Sequence, residues 1–207
     1  EQEVEENSDG TAVTAVADAN YHFVDWSDGS TANPRTDVNV VADISVMANF
    51  EANPEGVCAN PEEITALPYT HSSTTSGRTS EITTYGAGCG VTEYASADYI
   101  YSLDLVTGDR VQITLDPADG FNGVLILPGT CAEGDCIDSA NYGTDGEPEV
   151  LYYEATEDKT LFIVVEGNGS ASGDYTLEVK EWIEETDDDI TVDDDITVDD
   201  DITVDDD

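Results

Sequence analysis

Two alternating runs separated by a turn constrain the fold of this chain more than any other feature. Residues 99–105 read YIYSLDL and residues 111–115 read VQITL, while Thr107, Gly108 and Asp109 interrupt the alternation between them. Alternation of apolar and polar residues at period two is typical of a strand with one buried face. A short break rich in turn residues between two such runs predicts a β-hairpin. We therefore expect a hairpin that turns at residues 107–109.

Further short β-rich runs follow this predicted hairpin. Gly, Asp, Asn and Pro separate them, and they occupy residues 123–127, 149–153, 161–165 and 175–179. Many short strands divided by turn residues favour two packed antiparallel sheets. The sequence therefore predicts an all-β fold whose main body is an antiparallel β-sandwich.

The same stretches carry a family resemblance. DYIYSL begins at Asp98, TGDRV at Thr107, LFIVVEG at Leu161 and GDYTLEV at Gly173. In this order they resemble the bacterial pre-peptidase C-terminal domain over residues 57–182. The resemblance implies a jelly-roll-like sandwich attached to secreted bacterial proteins, and it implies no catalysis.

A smaller β-rich region precedes the predicted sandwich. Its runs lie at residues 11–16, 21–26, 38–41 and 44–50, and its motifs include YHFVDWSDGS, NPRTD and ADISVMANF. Over residues 11–52 these motifs resemble the divergent internalin-B-type repeat of bacterial surface proteins. The resemblance implies a small β-rich surface-repeat module, usually found in tandem on large adhesins.

The start of this module departs from the family pattern. The family begins with a strand or hairpin, whereas residues 1–10 here are acidic, so we expect order to begin near Thr11 and the module at residues 1–53 to be incomplete. A sheet that lacks a strand exposes an edge, and exposed edges pair with other chains. Pro54, Glu55 and Gly56 mark the linker to the sandwich.

The chain ends in an acidic repeat, which we treat as an extended tail at residues 183–207. From Asp187 it reads DDDITV three times and then DDD. Because six is even, an extended strand would place the same apolar pair of every hexad on one face. These candidate donor-strand residues are Ile190, Val192, Ile196, Val198, Ile202 and Val204.

The composition of this tail is also that of a disordered acidic segment. If it is ordered, its aspartates need neutralising, and calcium with its six to eight oxygen ligands would bridge them. Alternatively, the tail adds as a strand to a neighbouring subunit. The two arrangements are compatible. Head-to-tail contacts of this kind form open filaments when the rotation does not close a ring, so we expect self-association into a homo-polymer.

The net charge limits the partners of this chain. It has 48 Asp and Glu against 5 Lys and Arg, a formal charge of −43. Such a charge excludes nucleic acid and anionic membrane surfaces as direct partners and favours divalent cations. No apolar run approaches the roughly 18 residues of a membrane-spanning helix, so no membrane insertion is expected.

Calcium is the expected cation, held by oxygen ligands in loops and in the tail. Asp is also an ordinary turn former, and no stretch has the twelve-residue spacing of an EF-hand. The candidate metal ligands are Asp116, Asp119, Asn122, Asp138, Asp145, Asp187, Asp189, Asp193 and Asp195.

Four cysteines indicate disulfides rather than a metal site. Cys58, Cys89, Cys131 and Cys136 form no CxxC pair and have no neighbouring histidine. Three pairings are possible. We expect Cys131 to pair with Cys136 across a tight loop, which leaves Cys58 for Cys89. Disulfides place the protein in an oxidising, extracytoplasmic compartment, outside the cell or on its surface.

No catalytic constellation is recognisable, so we expect no enzyme. The two histidines, His22 and His71, stand in neither a GxSxG nor an HExxH context. The sequence favours a secreted bacterial structural protein, a subunit of an extracellular filament or adhesive assembly. The alternative is a non-catalytic substrate-binding or secretion module of an extracellular hydrolase.

Overall fold

The computed structural model describes residues 1–89, 96–142, 144 and 146–183. This part of the chain is all-β apart from one 3-10 turn at Ala87–Cys89, which confirms the predicted fold class. Its strands are β1 Tyr21–Trp26, β2 Ala48–Ala52, β3 Glu62–Glu63, β4 Tyr69–Thr74, β5 Tyr99–Leu105, β6 Arg110–Pro117, β7 Gly123–Leu127, β8 Asp138–Ala140, β9 Glu149–Glu154, β10 Lys159–Gly167 and β11 Asp174–Glu181.

Strands β3 to β11 form the two sheets of the sandwich. One sheet has five strands in the order β3-β5-β10-β7-β8, and the other has four in the order β4-β11-β6-β9. The strand pairs are antiparallel except for β3, which runs parallel to β5. The predicted runs at residues 123–127, 149–153, 161–165 and 175–179 are all strands of these sheets.

The facing sides of the two sheets form the main core, because period-two alternation directs every second side chain inward. In β6 and β11 the inward residues are almost fully buried and their neighbours are half-exposed. The largest of these core side chains are Tyr101, Ile113, Leu115, Phe121, Leu125, Leu127, Leu161, Ile163 and Leu177.

The five-stranded sheet is buried on its outer face as well. Ile100, Val124, Ile126 and Val164 point away from the main core and form a second cluster with Ile82 and Tyr85. Strand β5 is consequently buried at six of its seven positions, with Asp104 exposed. We call the loops that cover this outer face, residues 76–89 and 128–137, the cap.

The predicted hairpin at residues 107–109 is wrong. β5 and β6 are consecutive strands that lie in different sheets, with β10 and β3 beside β5 and with β11 and β9 beside β6. The connection instead bonds to residue 155, where the Gly108 amide donates to the Ala155 carbonyl at 2.7 Å. Alternation fixes which side of a strand is buried but not which strand it pairs with. Both strands bury their apolar sides by facing one another across the core.

All four cysteines are in disulfides, but the predicted pairing is wrong. Cys58 bonds to Cys131 and Cys89 bonds to Cys136, with Cα–Cα distances of 5.6 and 5.7 Å. The expectation considered only the low entropy cost of closing a short loop. In the fold, the loop that carries Cys131 and Cys136 lies against two other segments. Cys131 therefore meets Cys58, two residues after the linker, and Cys136 meets Cys89 of the cap.

The first module contains a two-stranded antiparallel sheet, β1 with β2. The predicted strands at residues 11–16 and 38–41 are reduced to single bridges, Val13 with Arg35 and Ser8 with Val40. Pro34 precedes Arg35 and has no amide to extend the first bridge into a ladder. Residues 44–47 extend past the end of β1. The Met47 carbonyl accepts the Ser27 amide at 2.8 Å, but the ladder between the two described strands ends at Trp26 and Ala48, so β2 begins at Ala48.

Order in this module begins before Thr11, contrary to expectation. The side chain of Gln2 accepts a 2.8 Å hydrogen bond from the Thr11 amide. Asn7 donates its amide to the Val40 carbonyl at 2.8 Å, and Asp9 accepts the amide of Asn39. The acidic N-terminal residues are therefore part of the module.

Hydrogen bonds join the linker and the last residue of the first module to the sandwich. Arg78 of the cap donates to the Glu55 carbonyl and stacks 4.2 Å from the Tyr99 ring centroid. The Gly56 carbonyl accepts the amide of Ile100 at 3.0 Å. Asn53, the last residue of the first module, accepts a 3.1 Å hydrogen bond from the side chain of Asn60.

Candidate functional site

The first module has a very small core, centred on one tryptophan. Phe23 lies with its ring centroid 5.6 Å from Trp26 and 6.0 Å from Phe50. Arg35 covers Trp26, with its guanidinium 5.2 Å from the ring centroid, and pairs with Asp28 at 3.0 Å. Arg35 also pairs with Asp37. A buried arginine between carboxylates therefore helps to stabilise the first module, whereas apolar packing stabilises the sandwich.

Large apolar side chains stay exposed on this module in unusual number. Val16 is 81% exposed and Met47 is 70% exposed. Isolated exposed apolar residues are normal, but a concentration of them marks an interaction surface. The full set of exposed large apolar side chains on this module is Val13, Val16, Tyr21, Val38, Val41, Ile44, Met47 and Phe50.

The sheet of this module has two open edges. β1 and β2 pair with each other, and within the described residues neither has a second strand neighbour. An isolated two-stranded sheet is only marginally stable in water. An open edge offers a row of free amides and carbonyls to an incoming strand. This module could therefore accept a further strand on either side.

A second unusual site lies under the cap, where two buried carboxyl groups approach each other. Glu166 of β10 is fully buried, and Asp98 is 2% exposed. The Tyr85 hydroxyl donates to Oε2 of Glu166 at 2.9 Å. Oδ2 of Asp98 accepts the amides of Glu81 and Ile82 at 2.7 and 2.9 Å.

Burial alters the acidity of both groups. Loss of hydration raises the pKa of Asp98 to about 6, even though two amides donate to it. Burial, together with the nearby Asp98, raises the pKa of Glu166 to about 8. Glu166 is therefore mostly protonated at neutral pH, which is how a protein tolerates a carboxyl group in an apolar layer.

The predicted loop ligands for calcium are dispersed. Asp116 lies on the outer face of the four-stranded sheet, and Asp138 begins β8 at the edge of the other sheet. Asp119 and Asn122 share the turn between β6 and β7, next to Gly146. Oδ1 of Asn122 is buried and has no hydrogen-bond partner among the described residues.

In the part of the chain that the structure describes, no three His, Cys, Asp or Glu side chains are grouped to hold a metal ion. Asp145 and the predicted ligands Asp187, Asp189, Asp193 and Asp195 lie outside the described residues. So do the donor-strand residues from Ile190 to Val204. Calcium binding and strand donation therefore stay predictions.

Sequence reasoning missed Asp98, Glu166 and Arg35. Two of these had a local signal, because Glu166 ends an otherwise apolar run and Asp98 directly precedes one. An acidic residue inside such a run indicates either a strand end or a buried carboxyl group. Arg35 had no comparable signal, since its aromatic and acidic partners are brought together by the fold.

Comparison with known proteins identifies the first module. Residues 1–54 match the sequence model of the divergent InlB B-repeat domain. The matched segment begins at residue 1 and so includes the acidic residues before Thr11. No curated protein sequence matches the chain. Among the described residues, no helix is long and apolar enough to span a membrane.

Solved structures resemble the sandwich at low identity. The pre-peptidase C-terminal domain of a collagenase from Bacillus anthracis has 13% identity and a TM-score of 0.42, covering 63% of this chain and 100% of that chain. PliG from Aeromonas hydrophila, a periplasmic inhibitor of g-type lysozyme, has 8% identity and a TM-score of 0.34, covering 62% and 100%.

These scores carry no argument about function, and the sandwich is established by its own strand order. The first structure does belong to the family that the sequence of residues 57–182 resembles. The family model that matches the sequence is that of a repeat domain, and no catalytic family is evident. The chain therefore joins a segment similar to the divergent InlB B-repeat domain, at residues 1–54, to a disulfide-bonded β-sandwich.

Proposed function

We propose that this protein is a secreted, non-catalytic structural subunit of an extracellular assembly. In this proposal the hexad tail of one subunit adds as a strand to the first module of the next. The observation that carries the proposal is the set of exposed apolar side chains on the first module, which we call the assembly surface, together with the two-stranded sheet whose edges are open among the described residues. The two disulfides support an extracytoplasmic location.

Strand addition would give β1 or β2 the second strand neighbour that each lacks among the described residues. A third strand would bond to the free main-chain groups of β1 or β2 and make the small sheet more stable. The isoleucine and valine of each hexad fall on one face of such a strand. Each such side chain that moves from water into a contact stabilises the complex by about 1.5–3 kcal/mol before the cost of ordering the tail.

Electrostatics opposes this contact and gives cations a role in it. The tail has twelve aspartates, and the first module is itself acidic. Like charges brought this close repel unless counter-ions neutralise them. Calcium bound between tail and module carboxylates would remove the repulsion and bridge the two chains. Assembly should therefore depend on calcium.

The head-to-tail geometry predicts a filament rather than a closed dimer. The donor is at one end of the chain and the acceptor is at the other, so the two contacting surfaces differ. Heterologous contacts of this type continue from subunit to subunit. The hydrogen bonds at the linker would restrict the angle between the two modules, which favours regular filaments.

The test replaces apolar residues of the assembly surface without disturbing the fold. Val16→Glu with Met47→Glu removes two strongly exposed side chains and adds repulsion towards the tail. The matched control is Val106→Glu, because Val106 is 59% exposed but lies in the sandwich. Light scattering in calcium should show that the double variant stays monomeric while the control assembles as the unchanged protein does.

Two results would contradict the proposal. If the double variant and the control assemble equally, the assembly surface is not the acceptor. If the unchanged protein stays monomeric at every calcium concentration, the chain is better described as an accessory binding module. Circular dichroism of each variant checks that its β-structure is intact.

A further inference from the structure

A cleft opens at one end of the sandwich, and none of its lining residues belongs to the assembly surface. It has a volume of about 540 Å³, lies between the ends of β5, β6 and β11, and is bordered by the connection from β3 to β4. Ile64, Leu67, Trp182 and Ile183 contribute apolar surface to it. This volume lies within the range of roughly 300–1,000 Å³ that is usual for ligand-binding sites.

One wall of the cleft is a strand edge that, within residues 1–89, 96–142, 144 and 146–183, has no strand partner beyond β3. β3 pairs with β5 at two positions, the second of which is Ser102. The Ile100 amide and the Ser102 carbonyl point to that side, where they bond to Gly56 and Ile64. By the same alternation the amide and carbonyl of Asp104 point there too, beyond the end of β3. An extended peptide could form two main-chain hydrogen bonds with Asp104.

The second wall offers a similar edge. β4 pairs with β11 as far as Val179, so Lys180 and Glu181 extend past it on that side. The two sheets therefore leave short open edges on either side of the same cleft. Main-chain pairing at such edges is a recurrent way for proteins to bind extended peptides.

The rim of the cleft is acidic. Four acidic residues line it, Glu63, Asp104, Asp109 and Glu181. The Asp104 carboxylate accepts the Thr160 hydroxyl at 2.6 Å and the Asp109 carboxylate accepts the Val106 amide at 2.9 Å, and both keep their negative charge. Arg110, also at the rim, pairs with Glu154 at 2.9 Å and stacks on Trp182, so its charge is already engaged. The cleft thus combines an apolar floor, free strand edges and a negative rim.

We infer that this cleft binds an extended basic peptide from another protein, in which apolar residues alternate with lysine or arginine. The alternation places apolar side chains on the floor and cationic side chains against the rim. This inference does not depend on the assembly proposed above.

The acidic tail of the same chain is a poor occupant of this cleft. Its hexads supply an apolar face, but each also brings three aspartates towards a cleft lined by four acidic residues. Charge complementarity therefore selects a basic peptide over the tail. A tail peptide consequently serves as the negative control.

The test measures anisotropy of a fluorescein-labelled peptide, Lys-Val-Lys-Leu-Lys-Val-Lys, titrated with the full chain at about 0.15 M salt. Because an acidic protein attracts any basic peptide, the site is defined by matched variants. Glu63→Lys with Glu181→Lys should weaken binding by roughly tenfold or more. The control Glu157→Lys, exposed but outside the cleft, should change it less than about twofold.

A second peptide separates strand pairing from simple charge attraction. N-methylation of alternate residues keeps every charge but removes the amides that pair with Asp104, so this peptide should bind at least about tenfold more weakly. Equal binding of both peptides would overturn the inference. An equal effect of Glu157→Lys, tight binding of a DDDITV peptide, or no binding of the basic peptide would overturn it as well.

Discussion

The hydroxyl of Tyr85 and the carboxyl of Glu166 meet at 2.9 Å beneath the disulfide-bonded cap. Tyr85 is in the cap and Glu166 is in β10, so this bond fastens the cap to the sheet. The carboxyl group is held in its neutral form by burial and by Asp98. The stability of the cap is therefore linked to pH.

Glu166→Gln should abolish part of this pH dependence. The folded-state pKa of Glu166 is about 8, against an ordinary value of 4.5. Between these values the unfolded chain loses the proton and the folded chain keeps it, so stability is present at low pH and is lost as pH rises towards 8. At pH 8.5 the variant should be more stable than the unchanged protein by roughly 2–4 kcal/mol.

Urea unfolding at pH 5 and pH 8.5 measures this difference. The neutral amide keeps the shape of the side chain and an oxygen that accepts from Tyr85. Glu157→Gln, at an exposed position, is the control and should follow the unchanged protein at both pH values. Parallel behaviour of Glu166→Gln and the unchanged protein would show that Glu166 ionises normally.

Peptide mapping without reduction should recover Cys58 linked to Cys131 and Cys89 linked to Cys136. Replacing Cys58 and Cys131 by serine opens a connection between residues 73 apart in sequence. In the chain-entropy model this lowers the free energy of unfolding by about 4 kcal/mol. A fragment containing Cys131 linked to Cys136 would refute the fold of the cap.

The ion pairs of Arg35 and of Arg110 should contribute differently to the free energy of unfolding. Arg35→Ala leaves Asp28 and Asp37 without their cation and uncovers Trp26, so we expect it to destabilise the first module more than Arg110→Ala destabilises the sandwich. Arg110→Ala removes a half-exposed pair with Glu154 and should cost about 1 kcal/mol or less. Tryptophan fluorescence during urea unfolding reports both, and equal losses would contradict the assignment of Arg35 to a core.

Salt should stabilise the whole protein. A formal charge of −43 on 207 residues destabilises the compact state through repulsion among the carboxylates. Raising potassium chloride from about 0.05 to 1 M shortens the Debye length to about 3 Å and screens this repulsion. The melting temperature should rise across this range. A constant melting temperature would mean that the carboxylates are too widely spaced to interact.

The sequence predicted strands β5, β6, β7, β9, β10 and β11, because each of these alternates or is continuously apolar. It did not predict the short polar strands β3 and β8. Nor did it predict which strands pair, because the local pattern of a strand does not determine its neighbour in the sheet. The runs ending at Leu105 and beginning with Val111 are strands as predicted, yet they pair with different neighbours. The cysteine pairing failed for a related reason, since it depends on which loops the fold brings together.

In the first module, the sequence predicted two strands that the structure reduces to single bridges. Its runs at residues 11–16 and 38–41 have β-forming composition, but composition alone does not provide a partner with free amides. The residues that organise its core, Trp26 and Arg35, were not distinguished by local pattern. The sequence did not show which apolar side chains of this module stay exposed, because exposure depends on the fold.

Electron microscopy of the protein with calcium and then with chelator tests the central proposal most directly. The full chain is compared with a chain that ends at Ile183, which keeps the described sandwich and lacks the hexads. We predict regular filaments of the full chain in calcium, fraying on chelation, and monomers of the truncated chain under both conditions. Filaments of the truncated chain would contradict strand donation by the tail.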